Sequence, residues 1–258
     1  MRIVLIGAGG LATNLGLALC AAGHEILAVY SRTMLSAQLL ANKTGSQYTN
    51  DVSTLPHEAD IFIVSVKDNA LEQLSESLVK GREEQLFVHT AGSMPMALFE
   101  GKTSHYGVFY PMQSFSKERE TDFAVIPIFI EASDEQSLLT IKKLAESISR
   151  HIYELSSDER QYLHLSAVFA CNFANHCYTL SAEILERHGL PFSVMLPLID
   201  ETACKIHQLH PKDAQTGPAV RYDENVIEKQ CHLLADNPEL QQIYEIMSKS
   251  IHQKALDK

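Results

Sequence analysis

Short apolar runs alternate with amphipathic stretches along the first 155 residues of the chain. The runs are rich in Val, Ile, Phe and Tyr and predict strands near 2–7, 25–30, 60–66, 85–89, 103–110, 126–132 and 151–155. Helical spacing of apolar residues predicts helices near 10–22, 33–42, 69–79 and 134–149. This alternation predicts an α/β fold, with a doubly wound parallel sheet covered by helices on both faces.

The pattern changes at residue 156, where helical spacing replaces strands. Ser156 and Glu159 have the spacing of a capping box, and neither Pro nor Gly follows until Gly189. We therefore predict a helix of about 30 residues, roughly 45 Å long. Further helices are predicted from Pro191 to about His210-Pro211, near 224–235 and near 238–253. The predicted domains are an α/β domain, 1–155, and an all-α domain, 156–258.

The long helix has apolar residues on several sides, and such a helix needs partners to cover them. A second subunit is an economical source of that cover. We predict a homodimer formed through the C-terminal helices.

Composition excludes several classes of protein. A net charge of −11 argues against a nucleic-acid surface, and no apolar run approaches the ~20 residues that span a bilayer. The five cysteines form no C-x-x-C pair, which is typical of reduced thiols in a cytoplasmic protein. His207 and His210 lack a third ligand at metal-binding spacing, so we expect no metal.

A glycine-rich turn joins the first predicted strand to the first helix. It has the form G-x-G-x-x-A and consists of Gly7, Ala8, Gly9, Gly10, Leu11 and Ala12. Gly7 permits the tight turn, Gly9 permits close approach of a pyrophosphate, and Ala12 permits close packing of helix and strand. The helix N-terminus supplies N–H groups and a positive dipole end. The turn predicts a Rossmann-type dinucleotide site, although a fold that has lost its nucleotide could keep it.

The second predicted strand ends in Ser31, Arg32 and Thr33. Sites that bind NAD usually carry Asp or Glu at this point, where it accepts hydrogen bonds from a ribose hydroxyl. A guanidinium between two hydroxyls suits a 2′-phosphate instead. We predict that NADP is the cofactor; the alternative is that Ser31 or Thr33 only caps the next helix.

Loops after the next strands are expected at the same edge of the sheet. Their candidate cofactor-binding residues are Val66, Lys67, His89, Thr90, Ala91 and Gly92. Asp68 is predicted to be the N-cap of the following helix. Gln113 and Ser114 are either turn residues or site residues.

Polar residues recur on the predicted long helix. At 100° per residue, one face carries His164, Val168, Asn172 and Asn175, with His176 at its margin. Polar groups on an apolar helix cost free energy unless they are hydrogen-bonded or used. We interpret His164 and Asn172 as lining the substrate cleft, the alternative being polar groups satisfied in a core or interface.

A second unusual segment is Thr216-Gly217-Pro218, followed by Arg221 and Asp223. Gly and Pro interrupt the helical pattern, and loops often carry functional residues. Arg221 either binds a substrate carboxylate or pairs with Asp223.

Together these motifs resemble a group of Rossmann-like NADP oxidoreductases, often labelled F420-dependent, that carry a C-terminal helical domain of unknown function. The resemblance covers essentially the whole chain, and T-G-P-x-x-R-x-D is its most specific string. More distantly, the chain is similar to pyrroline-5-carboxylate reductase, ketopantoate reductase and the β-hydroxyacid dehydrogenases. The last group places a catalytic Lys one turn before an Asn, where this chain has Val168 before Asn172.

The resemblance implies hydride transfer from NADPH to a small carbonyl or imine, on a substrate that carries a carboxylate. In this interpretation His164 is the acid/base group, Asn172 positions the substrate and Arg221 anchors it. Domain 1–155 would bind NADP, and domain 156–258 would bind substrate and dimerise. The rival hypothesis is a non-catalytic NADP(H)-binding regulatory module. A methyltransferase would leave Arg32 without a use.

Overall fold

The computed structural model describes residues 1–256. The chain divides into two compact units, the first being Met1–Cys171 and the second beginning at Asn172. The first unit therefore includes residues 156–171, which the sequence assigns to the helical domain. The functional boundary after residue 155 stays a prediction.

The first unit contains one eight-stranded sheet with helices on both faces, which confirms the predicted fold class. Its strands are β1 (Arg2–Ile6), β2 (Glu25–Tyr30), β3 (Gln47–Thr49), β4 (Ile61–Val64), β5 (Leu86–His89), β6 (His105–Pro111), β7 (Pro127–Ala132) and β8 (His151–Glu154). Its α-helices are α1 (Gly10–Ala21), α2 (Met34–Thr44), α3 (Asp68–Val79), α4 (Glu135–Glu146) and α5 (Ser157–Ala167). Short 3-10 helices occupy Val52–Thr54, Met96–Phe99 and Phe123–Val125.

The spatial order of the strands is β3-β2-β1-β4-β5-β6-β7-β8. The sheet is parallel, as predicted, except that β6 and β7 pair antiparallel. No α-helix lies between these two strands, and an antiparallel pair needs no crossover helix. Strand β3 was not predicted because three mostly exposed residues carry no recognisable alternation.

Alternate side chains of the central strands enter two hydrophobic cores. On β1, Ile3 and Leu5 pack in the core that includes α1, α2 and α4. Val4 and Ile6 pack in the opposite core, which includes α3. Burial on both faces explains why the central strands are continuous apolar runs in the sequence.

The carboxyl ends of four strands lie along one edge of the sheet. Ile6 of β1 pairs with Val64 of β4, and Val64 pairs with His89 of β5. His89 in turn pairs with Val108 of β6, which runs in the same direction. The loops that follow these strands, with the N-termini of α1 and α3, are thereby brought together at this carboxyl edge.

The capping box is confirmed. The Ser156 hydroxyl accepts from the backbone N–H of Glu159 at 3.3 Å, and the Glu159 carboxylate accepts from the N–H of Ser156 at 3.2 Å. Helical residues run to Arg187, but a π-helix at Val168–Phe173 separates α5 from α6 (Ala174–Arg187). A π-helix does not follow the 100° rotation of an α-helix. The shared face of His164 and Asn172 therefore does not follow from α-helical spacing.

The second unit is helical within its described residues. After α6 come a 3-10 helix at Phe192–Met195, α7 (Leu196–Lys205), α8 (Pro211–Ala214), α9 (Pro218–Arg221), α10 (Glu224–Leu233) and α11 (Pro238–Leu256). Helix α9 packs on α11, where the His252 imidazole lies 3.2 Å from the carbonyl oxygen of Val220. No helix within residues 1–256 is long and apolar enough to cross a membrane.

Candidate active site

The turn between β1 and α1 requires glycine at its first position. Gly7 has φ +117°, and a Cβ there would lie 2.0 Å from the carbonyl oxygen of Ser65. Ala8 and Ala12 are buried, and Leu11 is half-buried against the core. The turn is thus held tightly against β4 and the core.

Gly9 faces open space. A Cβ at Gly9 would meet no atom within 4 Å, and this residue is the N-cap of α1 without any side-chain cap. The first turn of α1 carries no acidic residue. The N–H groups and the positive end of the helix dipole can therefore receive an anionic group, as pyrophosphate binding requires.

The segment after β6 packs on the same helix N-terminus. A Cβ at Gly10 would lie 2.6 Å from the carbonyl oxygen of Phe115. The Asn14 amide donates to the carbonyl oxygen of Ser116 at 2.8 Å and accepts from the N–H of Thr121 at 3.0 Å. Gly10 thus serves this packing. Gln113 and Ser114 are exposed next to it, and the Gln113 side chain accepts from the Ser114 N–H at 2.8 Å.

Ser31, Arg32 and Thr33 follow β2 at the carboxyl edge. The Arg32 guanidinium is exposed and has no hydrogen-bond or ion-pair partner in the described part of the chain. Thr33 occupies the N-cap position of α2, but its hydroxyl donates to Ser36 Oγ at 2.8 Å and makes no cap hydrogen bond. Arg32 is therefore available to a ligand.

Asp68 does not cap α3 as predicted. Lys67 occupies the N-cap position and Asp68 is the first residue of the helix. The Asp68 carboxylate accepts a 2.5 Å hydrogen bond from Ser93 Oγ, which joins the loop after β4 to the loop after β5. Lys67 is exposed, and half-buried Val66 lies 3.3 Å from a Cβ built at Gly7.

The His89 side chain is fully buried at the end of β5. Its Nδ1 accepts from the Ala91 N–H at 3.2 Å, which leaves Nε2–H to donate to the Pro95 carbonyl oxygen at 3.3 Å. Burial first, then the charge of Arg160, lower the pKa of His89 to about 4, so the imidazole is neutral at pH 7. His89 thus holds the loop after β5 through hydrogen bonds to its backbone. The Thr90 N–H donates to the Val64 carbonyl oxygen at 3.1 Å.

Gly92 brings this loop against a pair of titratable side chains. The Tyr110 hydroxyl of β6 lies 3.1 Å from Nδ1 of His164 on α5, and their rings meet edge to face. A Cβ at Gly92 would lie 2.6 Å from His164 Nδ1 and 2.8 Å from Tyr110 Cζ. Burial raises the pKa of Tyr110, and the charge of Arg160 acts in the opposite direction. The pair therefore places a hydroxyl and an imidazole nitrogen, two groups that can donate or accept a hydrogen bond, within 3.1 Å of each other.

A buried ion pair lies beside this pair. Arg160 is 1% exposed, and its Nη1 donates to Glu131 Oε2 at 2.7 Å. Its Nη2 donates to the carbonyl oxygen of Met94 at 2.6 Å and to Ser157 Oγ at 3.2 Å. Glu131 also accepts from the Ser157 N–H and hydroxyl, at 2.9 and 2.7 Å.

A continuous line of contacts runs along the carboxyl edge. It passes from Gly7 to the β4 loop, through Asp68 and Ser93 to the β5 loop, and through Gly92 to Tyr110 and His164. Arg32 lies on the other side of the glycine turn, after β2. A dinucleotide across this edge would have its adenosine towards Arg32 and its other end towards Tyr110 and His164.

Two predicted site residues, Asn172 and Arg221, belong to the second unit and are exposed. Arg221 ends α9 and is followed by Tyr222, which has φ +50°. No ion pair joins Arg221 to Asp223 among the described residues, and the Asp223 carboxylate accepts from the Val226 N–H at 3.4 Å. The roles of Asn172 and Arg221 stay predictions. Residues 1–256 contain no group of three or more His, Cys, Asp or Glu that could hold a metal ion.

Sequence reasoning did not assign roles to Tyr110, Arg160 or Glu131. Tyr110 lies near the carboxyl end of a predicted strand, which is a usable signal for a site residue. Arg160 stands four residues before His164, one helical turn away. Glu131 carries no such signal, because only the antiparallel return of β7 brings it to Arg160.

Two families match the chain in succession. The family described as NADP oxidoreductase coenzyme F420-dependent matches residues 2–92, and a domain of unknown function matches residues 126–251. A crystal structure from Bacteroides fragilis, of a protein provisionally named an NADP oxidoreductase, is 55% identical over 98% of both chains, with a TM-score of 0.95. The chain belongs to this family of NADP oxidoreductases.

Solved structures of much lower sequence identity share the fold of this NADP oxidoreductase. An imine reductase from Myxococcus stipitatus in complex with NADP⁺ is 15% identical over 100% of this chain and 93% of that one, with a TM-score of 0.67. A pyrroline-5-carboxylate reductase from Coxiella burnetii is 18% identical over 99% and 97%, with a TM-score of 0.60. None of the curated proteins matches the chain.

Proposed function

We propose that this oxidoreductase prefers NADP(H) to NAD(H) and reduces a small carbonyl or imine compound that carries a carboxylate. The observation that carries the proposal is the Tyr110–His164 hydrogen bond, on the carboxyl edge that also holds the glycine turn. When bound, the cofactor supplies the hydride. The protein has to hold the cofactor, orient the substrate and supply a proton.

Cofactor binding is assigned to the glycine turn and to Arg32. The open space at Gly9 and the uncapped N-terminus of α1 suit the pyrophosphate. The exposed Arg32 guanidinium suits the 2′-phosphate that distinguishes NADP from NAD. Lys67 and the loop from Thr90 to Gly92 are proposed to border the remainder of the cofactor.

Proton supply is assigned to Tyr110 and His164. Burial raises the pKa of Tyr110, which keeps its hydroxyl protonated at neutral pH. Because the hydroxyl and His164 Nδ1 share a hydrogen bond, a proton lost from one can be replaced through the other. Val168 has no acidic or basic group, so it cannot take the role of the lysine of β-hydroxyacid dehydrogenases. Asn172 and Arg221 are proposed to position the substrate and bind its carboxylate.

The class of substrate is supported by the relatives as well as by this pair. The imine reductase and the pyrroline-5-carboxylate reductase share the fold and, by their names, reduce imines. A Tyr–His pair can supply the proton that the carbonyl oxygen or the imine nitrogen takes up when hydride adds to the carbon. Carbonyl and imine substrates therefore remain within the same proposal.

We further propose a cytoplasmic homodimer formed through the C-terminal helices. Exposed apolar side chains support the dimer, including Leu198 of α7 at 63% and Leu233 of α10 at 79%. Five free cysteines are consistent with a reducing compartment. Size-exclusion chromatography with light scattering at micromolar concentration should give twice 28.7 kDa. A monomer mass would reject the dimer.

The central experiment is titration of the purified protein with NADPH and, separately, with NADH. The chain has no Trp, so enhanced emission of the reduced nicotinamide can be measured with little interference. We expect tight NADPH binding, much weaker NADH binding, and NADPH oxidation by a member of a panel of keto acids and cyclic imines. Coenzyme F420 belongs in the panel as a competing candidate. Absence of binding by either nucleotide would reject the proposal.

A further inference from the structure

We infer that Arg160 is a positioning residue, which holds the loop from Gly92 to Met96 and helix α5 so that Tyr110 and His164 stay in contact. The inference rests on the proposed function for the chemical use of that pair. The structural part of the inference is that the buried Arg160–Glu131 ion pair sets the geometry of the Tyr110–His164 contact.

The loop is attached to α5 at three successive points. Gly92 lies directly against the His164 ring, the Met94 carbonyl oxygen accepts from Arg160 Nη2 at 2.6 Å, and the Met96 N–H donates to Ser157 Oγ at 2.9 Å. Arg160 makes the middle attachment. Because the outer two are a steric contact and a single hydrogen bond, loss of the middle one should let the loop move relative to α5.

The same guanidinium attaches α5 to the sheet. Its Nη1 donates to Glu131 of β7, and β7 pairs with β6 so that Glu131 stands opposite Val108, two residues from Tyr110. Arg160 itself lies one turn before His164 on α5. One side chain therefore connects the strand that adjoins Tyr110, the helix that carries His164 and the loop that touches both.

The burial of Arg160 also indicates a role beyond stability. Its Nε is buried and has no hydrogen-bond partner in the described residues, so the guanidinium is incompletely satisfied. A buried ion pair can often be replaced by apolar side chains without loss of stability. A buried charge with an unsatisfied donor costs free energy of folding. This cost indicates that the guanidinium has a role besides stability. Here its charge also opposes the rise that burial causes in the pKa of Tyr110.

A matched control exists in the same unit. Arg82 is 4% exposed and donates only to backbone carbonyl oxygens, among them those of Pro56 and Leu55, each at 2.8 Å. It makes none of the contacts that surround Tyr110 and His164. Loss of Arg82 removes another buried guanidinium without touching the pair.

The test is nitrogen-15 NMR of the His164 imidazole in the full-length protein. The His164 signal is assigned by its absence in His164→Gln. The change in the Nδ1 chemical shift that Tyr110→Phe causes then defines the signature of the Tyr110–His164 contact. Arg160→Met should move the shift at least halfway to the Tyr110→Phe value, and Arg160→Lys should move it less. Arg160→Met/Glu131→Leu leaves no unpaired buried charge, and it supplies the measurement if the single variant does not fold.

The outcomes are distinct. A wild-type signature in the double variant, or an equal shift in Arg82→Met, would overturn the inference. The readout needs neither cofactor nor substrate, so it is independent of the nucleotide titration. If the wild type binds no NADPH, the proposed function fails, while the shifts still decide whether Arg160 positions the pair.

Discussion

The carbonyl oxygen of Ser65 lies where the side chain of any residue larger than glycine at position 7 would begin, only 2.0 Å from a Cβ built there. Position 9 is the reverse case, because a Cβ there meets nothing within 4 Å and φ is −78°. The fold therefore requires glycine at position 7, whereas at position 9 it leaves open space, which we propose admits the ligand.

We predict that Gly7→Ala destabilises the fold by roughly 3 kcal/mol or more, through steric conflict and a φ of +117°. Gly9→Ala should cost less, about 1 kcal/mol at most, because Ala is a poorer N-cap residue than Gly. It should nevertheless weaken NADPH binding at least tenfold, because its methyl group fills the approach of the pyrophosphate. Urea unfolding and nucleotide titration measure the two effects. Unchanged NADPH affinity in Gly9→Ala would show that this turn does not bind the cofactor.

Arg32 should control the choice between the two nicotinamide nucleotides. Charge-assisted hydrogen bonds contribute about 1.5–3 kcal/mol, so Arg32→Ala should raise the Kd for NADPH roughly 10- to 150-fold. The Kd for NADH should change less than about threefold. The control is Arg2→Ala. Arg2 is also exposed, but it lies at the end of β1 that is away from the glycine turn. Equal losses for both nucleotides would contradict a 2′-phosphate contact.

Tyr110 and His164 should matter for turnover and little for nucleotide affinity. With the substrate found in the panel, Tyr110→Phe and His164→Gln should each lower kcat on the order of 10²- to 10⁴-fold, as expected for loss of a proton donor. Tyr153→Phe, an exposed tyrosine on β8, should keep wild-type kcat. If both site variants retain full turnover, the proton comes from elsewhere.

His89 should make the fold sensitive to acid. Its pKa is about 4 in the folded protein, below the ordinary value near 6.5, so the unfolded chain binds more protons between these values. The contribution of His89 to the free energy of unfolding is therefore complete above pH 6.5. It declines by about 3 kcal/mol as the pH falls to 4.

The free energy of unfolding against pH tests this, with His89→Gln compared with the wild type. The slope between pH 6.5 and 4 should be smaller in the variant, whereas exposed His176→Gln should keep it. An unchanged slope in His89→Gln would assign the acid sensitivity to other groups.

Several features were predictable because they depend on neighbours in the sequence. The capping box at Ser156 and Glu159 is local chemistry, and it was confirmed. The order of strands and helices in the first 155 residues also follows from local periodicity. The β6–β7 direction was not predictable in this way, since pairing direction depends on how the chain returns to the sheet.

The sequence by itself determined the fold class and the glycine turn, and it supplied the prediction that Arg32 binds a 2′-phosphate. Only the tertiary structure decided three further features. The Asp68 carboxylate accepts a hydrogen bond from Ser93, the His89 side chain is buried, and the Tyr110 hydroxyl is hydrogen-bonded to His164, 54 positions away in the sequence. The reason is physical. Periodicity and capping depend on residues within one or two turns, whereas these contacts depend on the register of separate strands and on the packing of α5 against them.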